Sequence, residues 1–198
     1  MKSKGSIAVM LVAMLLFSSC SVLEQMDEMQ QLSKCEFELL NVENLTIAGV
    51  SMEGKQDFSD FSFGEAAQLT MALAGKEIPA DFTVNLQATN PNDRRAAMNR
   101  LEWKALIDGN EVTQGVVEKR VEIAPNGGSS TIPVEVNVDV KKILTGESGK
   151  ALMNLVANIN GRGSQPSEVS MKLSPSIKVG QRMLQYPGYI TVNNQVGK

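Results

Sequence analysis

The chain has 198 residues, with 19 Lys and Arg against 22 Asp and Glu, two cysteines and no histidine. A net charge of −3 argues against nucleic acid as a partner and against electrostatic attachment to anionic lipid. Without histidine the chain lacks the usual general base near neutral pH, the Ser-His-Asp and Cys-His nucleophile systems, and the commonest zinc ligand.

Met1-Lys2-Ser3-Lys4 puts two positive charges ahead of an apolar run from Ile7 to Phe17. That run is well short of the roughly 20 residues that span a bilayer as a helix. A basic start, a short apolar core and small residues at the end read as a secretory signal over 1–19. The ending Leu16-Phe17-Ser18-Ser19-Cys20 resembles the lipobox of bacterial lipoproteins, with Phe17 in place of the usual Leu. The resemblance implies that Cys20 is lipidated and becomes the mature N-terminus. Anchoring then comes from N-terminal acyl chains, and several chains hold a protein stably where one is marginal. Ser21 rather than Asp after the cysteine implies, by analogy with other lipoproteins, an outer-membrane address facing the periplasm. Removing 1–19 takes away Lys2 and Lys4 and leaves an excess of five acidic residues in a chain of single-domain size.

With Cys20 modified, Cys35 stands alone and reads as a small buried hydrophobe rather than a nucleophile. Residues 20–34 read as the lipidated cysteine and a tether; Val22, Met26 and Met29 have helical spacing, so the alternative is a short helix lying against the membrane or a partner. From Cys35 to Met52 the pattern is strand-like with slips of phase, which predicts bulges. Asn44-Leu45-Thr46 matches the glycosylation pattern by chance. Over 57–75, Phe58, Phe61 and Phe63 precede residues at helical spacing that end at Gly75. This predicts a helix near 64–75 packed on the end of a β-sandwich, with the phenylalanines in the core; alternatively the helix roofs a pocket.

Four alternating segments follow: Phe82–Ala88, Leu101–Ile107, Val117–Ile123 and Ile132–Val138. Each offers one apolar and one polar face, so together they predict an antiparallel layer buried on one side. Asp108-Gly109 is a tight-hairpin signal, and Asn126-Gly127-Gly128 does similar work later. Pro133, which cannot donate to a ladder, predicts an edge or a bulge in the fourth segment. Residues 139–160 return to helical spacing around a Gly146–Gly149 interruption, with Gly161 as terminator. Ser167–Val179 alternates again, with a break or edge at Pro175. Tyr186-Pro187-Gly188-Tyr189 is a turn before a last strand over Ile190–Val192.

Asn90-Pro91-Asn92 links the first two of the four segments. Pro91 sets its own φ and keeps Asn90 extended, while Asn92 is suited to a turn or to capping a short helical turn over 93–99. Arg94 and Arg95 read as a solvated turn or as an anion grip, and Asp93, Glu102 and Asp108 as solvated charges. No spacing singles out a catalytic pair, and no metal or cofactor is expected.

Asn90-Pro91-Asn92, the strand with Leu101 and Trp103, Asp108-Gly109 and the later Gly115 together resemble the late embryogenesis abundant type 2 family. That family shares the water-stress-and-hypersensitive-response domain. The resemblance runs from about Phe37 to Val179. It implies a mainly β, antiparallel sandwich of fibronectin or immunoglobulin type and no catalytic residues, with Asn90, Pro91, Asn92, Asp108 and Gly109 as structural motif positions. The segments over 57–75 and after Asp139 resemble the version carried by lipoproteins of Bacteroidetes type. The expected organisation is one domain over 35–198 with added helices near 64–75 and 139–160. The expected function is a non-catalytic, lipid-anchored envelope binding or scaffold module, related to stress, with an unidentified envelope protein as partner. The alternative is a carrier of a hydrophobic small molecule or lipid between the sheets.

Overall fold

The computed structural model describes residues 23–55, 57–145, 148–159 and 165–197. The signal segment, Cys20 and the Gly161 terminator lie outside these residues. Over the described residues the molecule is a mainly antiparallel β-sandwich with four α-helices. In chain order it runs α1 (23–32), β1 (Glu36–Ile47), β2 (Val50–Ser51), a 3₁₀ turn (Phe58–Asp60), α2 (Phe63–Ala74), β3 (Pro79–Asn90), β4 (Ala96–Met98) and β5 (Arg100–Ile107). It continues with β6 (Asn110–Val117), β7 (Val121–Ile123), β8 (Gly128–Asp139), α3 (Val140–Thr145), α4 (Ser148–Ile159), β9 (Ser167–Val179), β10 (Arg182–Gln185) and β11 (Ile190–Val196).

One sheet has the order β2-β1-β3-β8; the other runs β10-β9-β5-β6, with β11 also on β9. β4 and β7 form a separate two-stranded ribbon. The four alternating segments therefore do not form one layer. The first and fourth pair in full register from Pro79↔Asp139 to Asn90↔Gly128, the second lies in the facing sheet, and the third is divided between β6 and β7. Alternation specifies which side chains share a face, and that holds here. Leu86, Ile132 and Val134 from one sheet meet Leu101 and Leu173 from the other, all fully buried in one core cluster.

The turn signals work as read at Asp108-Gly109, where φ values of 49° and 77° close a two-residue hairpin from Ile107 to Asn110. Asn126-Gly127 is also left-handed, at 59° and 83°. It turns the chain from the ribbon into the first sheet instead of joining two paired strands. Pro133 sits on β8, an edge strand, with its ring exposed. Pro175 lies within the unbroken β9, opposite Leu101. Its carbonyl accepts from the Tyr186 amide at 2.8 Å, so its missing donor faces the gap where the outer neighbour changes from β11 to β10. The expected slips of β1 appear as register shifts between Leu39 and Asn41 and between Glu43 and Thr46.

α2 forms where the spacing places it. Ser62 and Glu65 make a reciprocal capping box, and Gly75 is the C-cap in an extended conformation. It buries none of its side chains, however, and Phe63 is 92% exposed. Placing that phenylalanine in the core is therefore wrong: at the first position of α2, just after the cap, it projects into solvent.

Candidate functional site

Asn90 ends β3, and its side chain is fully buried. Its Nδ2 donates to the Arg94 carbonyl at 2.8 Å and to the Ile123 carbonyl at 3.2 Å. Its Oδ1 accepts from the Asn92 amide at 3.1 Å and from Asn92 Nδ2 at 2.6 Å. The Asn90 and Asn92 carbonyls accept from the Gly127 and Asn126 amides at 2.8 and 2.7 Å. The corner therefore joins β3, the β7 end and the Asn126-Gly127 turn through bonds that leave little polar capacity for a ligand. Residues 93–99 form no helical turn, because β4 begins at Ala96 and pairs with β7.

The corner also holds α1. Asn92 Nδ2 donates to the Gln31 carbonyl at 3.0 Å. Arg94 reaches Asp27 at 2.8 Å, and Arg95 reaches Glu24 at 2.9 Å and Glu28 at 2.8 Å. Arg120, in the loop after β6, donates to both oxygens of Glu28 at 3.1 and 3.0 Å. The Glu28 side chain is only 4% exposed. Burial works against the charge of Arg120, yet its hydrogen bonds with Glu122 and Glu28 raise its affinity for the proton. The same Arg120 bond holds the Glu122 carboxyl below the ordinary carboxylate range. Leu32 completes the dock as a fully buried member of the core. Burying a leucine contributes about 1.5–3 kcal/mol.

Residues 23–34 are thus a docked helix and its turn, not a loose tether. Arg94 and Arg95 are not simply a solvated turn: of the two readings, the anion grip is the one met, from inside the molecule, by the carboxylates of α1. The signal for this was present in the sequence: Glu24, Asp27, Glu28 and Gln31 recur at i, i+3, i+4 and i+7, one face of a helix. Cys35, just below α1, is buried beside the Gln31 carbonyl, and burial pushes its thiol up to about 11.

Asp108 and Gly109 lie at the other end of β5, where Asp108 Oδ1 accepts from the Glu168 amide at 2.8 Å. The fold does not bring them to the Asn90 corner; the two motifs are separate turn devices. At that far end a polar depression of about 440 Å³ is lined by residues including Glu77, Glu111, Thr113, Asp139, Lys142 and Ser148. Its charges are engaged: Lys142 lies 3.7 Å from Glu77 and 3.5 Å from Asp139, and Glu111 bonds Lys104 at 2.8 Å. Asp139 Oδ1 also accepts from the Ile78 and Lys141 amides, both at 3.0 Å. Among the described residues, no group of three or more His, Cys, Asp or Glu could hold a metal.

Among the described residues, apolar side chains stay exposed at several places, including α2 and the α1 end. α2 presents Phe63, Met71 and Leu73 to solvent, the latter two each 68% exposed. A second depression, about 490 Å³, lies between α1 and the turn at Tyr186-Pro187. No helix among the described residues is long and apolar enough to cross a membrane.

No protein-family model matches the chain, and no curated protein matches it. Solved structures of similar shape include a protein from Archaeoglobus fulgidus, 9% identical at a TM-score of 0.38, with 80% of this chain and 98% of that one covered. A protein described as late embryogenesis abundant is 10% identical at 0.36, with 97% and 83% covered. A protein of Arabidopsis thaliana is 9% identical at 0.35, with 60% and 70% covered. Likenesses of this size do not place the chain in a family.

Proposed function

We propose that this protein is a non-catalytic binding or scaffold module of a bacterial envelope, anchored through acyl chains on Cys20, with a protein as partner. The observation that carries the reading is α2. A capped, regular helix that buries none of its side chains yet exposes Phe63, Met71 and Leu73 is costly to leave in water. Its attachment includes polar contacts beside half-buried Ala66, Leu69 and Ala72: Gln68 Nε2 donates to the Ala48 carbonyl at 2.7 Å, and Lys55 pairs with Glu65 at 3.2 Å. An apolar helix held this way suits insertion into a partner's groove. The lack of histidine and the engaged charges of the polar depression support a role without catalysis. The resemblance of the Asn90-Pro91-Asn92 stretch to the late embryogenesis abundant type 2 family motivates a part in stress tolerance. A carrier is less well supported, because none of the side chains of α2 is fully buried and the sheets meet through fully buried side chains such as Leu86, Leu101, Ile132 and Leu173.

The test places a photo-crosslinking residue at Leu73 of the full chain in its native envelope. A discrete protein adduct, absent when the residue sits instead at exposed Lys119, is the expected result. Equal labelling from both positions rejects the binding role of α2, and a lipid retained in native mass spectrometry would revive the carrier. Labelled palmitate incorporation is expected to vanish in Cys20→Ala; its persistence rejects lipidation there.

A further inference from the structure

We infer that the α1 end of the sandwich lies directly on the bilayer, with Leu23, Met26, Tyr186 and Pro187 in the membrane interface. The inference rests on acylation of Cys20 and adds to it an orientation and a contact surface. Only Ser21 and Val22 separate Cys20 from Leu23. Three peptide steps reach at most about 11 Å. Were 23–34 a loose tether, the domain would tumble tens of ångströms from the lipid. Instead α1 is fixed at several points: Glu28 on Arg95 and Arg120, Asn92 on the Gln31 carbonyl, Leu32 in the core, and Gln25 Oε1 accepting from the Gly180 amide at 3.2 Å. An anchor at Cys20 is therefore within about 11 Å of one end of the domain.

The surface at that end suits lipid. Leu23 is 67% and Met26 52% exposed, and both line the depression that Tyr186 and Pro187 close on the other side. Met183 and Leu184, on the adjoining β10, are exposed as well. A tyrosine at the border of an apolar patch has the amphipathic character favoured at the level of lipid headgroups. Charge does not oppose the contact. Although the chain as a whole is acidic, Glu24, Asp27 and Glu28 are each paired with Arg94 or Arg95, and Arg94 remains 63% exposed towards any anionic headgroup. The bilayer is preferred over a second copy as the occupant because only two residues separate the proposed anchor, Cys20, from Leu23 on this surface.

The test uses full-length acylated protein reconstituted into vesicles of phosphatidylethanolamine and phosphatidylglycerol. An environment-sensitive fluorophore is attached to a cysteine placed singly at Met26, Pro187 or Leu73. Cys35 is buried and stays in place, with the chain lacking an added cysteine setting the background. Labels at 26 and 187 should shift to the blue and be quenched by lipid-borne nitroxide at least twofold more than the label on α2. Equal quenching at all three sites, or free access of aqueous iodide to 26 and 187, overturns the inference. Shielding from iodide without quenching by lipid would instead identify a second copy as the occupant, and also overturns it. Mass spectrometry of the N-terminal peptide separates the two levels. An unacylated Cys20 rejects the anchoring reading together with this one; an acylated chain whose labels stay in water rejects only the orientation.

Discussion

Arg120 crosses from the loop after β6 to hold both carboxylate oxygens of Glu28, at 3.1 and 3.0 Å, across 92 residues of sequence. Removing one partner of a buried pair leaves the other charge uncompensated, which costs about 3–5 kcal/mol when both are deeply buried. Here the arginine side chains stay 37% and 43% exposed and can rehydrate. Glu28→Ala should therefore cost about 1–3 kcal/mol in urea denaturation. Amide exchange over 23–34 should rise far more than exchange in β3, β5 or β9. A uniform rise across all elements would show that α1 is not a separately docked unit.

Asn90 makes four side-chain hydrogen bonds at a fully buried position. Asn90→Leu fills similar volume but strands the Arg94 and Ile123 carbonyls and the Asn92 amide. The expected loss is about 3–5 kcal/mol, since each unsatisfied buried group costs about 1–3 kcal/mol and some relaxation follows. Asn92→Ala should cost about 1 kcal/mol and loosen mainly α1, because its outward bond goes to the Gln31 carbonyl. Equal losses in the two variants would contradict this division of labour.

Gly115 stands opposite Trp103 across β5 and β6. A Cβ built there meets Trp103 Cζ2 at 2.5 Å and Cε2 at 2.8 Å, and the indole is only 3% exposed. The glycine is required by this close approach of a ring to backbone, not by a turn. Gly115→Ala should cost about 1–3 kcal/mol, as overpacking does. Since Trp103 is the chain's one tryptophan, the displacement can be read directly in its near-ultraviolet circular dichroism and fluorescence. An unchanged spectrum would mean that the ring does not cover this glycine.

Two helix starts should respond to acid. The Ser62 amide, donating to Glu65, and the Ile78 amide, donating to Asp139, hold both carboxyls below their ordinary values. A folded-state value below the unfolded one gives stability that is present above about pH 4 and lost as pH falls through the folded value. The amide signals of Ser62 and Ile78 should therefore move in acid before the β3–β8 ladder opens. Glu65→Gln should abolish the step at α2 and spare the one at Asp139. A simultaneous transition of both helices and the sheet would refute local control.

The strands were the most legible part of the chain because period-two alternation follows directly from backbone geometry. Ser167–Val179 is β9 to the residue, and Ile132–Val138 lies within β8. Asp108-Gly109 closes the hairpin its composition demands. The aromatic cluster was misleading for a physical reason. Phenylalanines are usually buried, but a residue just after a capping serine takes its direction from the helix axis, and for Phe63 that direction is solvent. The Arg94-Arg95 pair read first as a solvated turn and only alternatively as an anion grip, and its grip on the chain's own acids was not legible.

What the sequence determined by itself is local: which residues alternate, where glycine and proline force a turn or an edge, and which chemistry an absence of histidine removes. Asn90-Pro91-Asn92 was visible as a corner on those terms. Only the tertiary structure decided which strands share a sheet, that Asn92 bonds α1, and that the Glu28 carboxylate meets arginines from two distant loops. Periodicity assigns a side chain to a face, but a face acquires its partner only when segments tens of residues apart bury their apolar surfaces together. The supposed tether became part of the domain at that step, through contacts between residues far apart in the sequence.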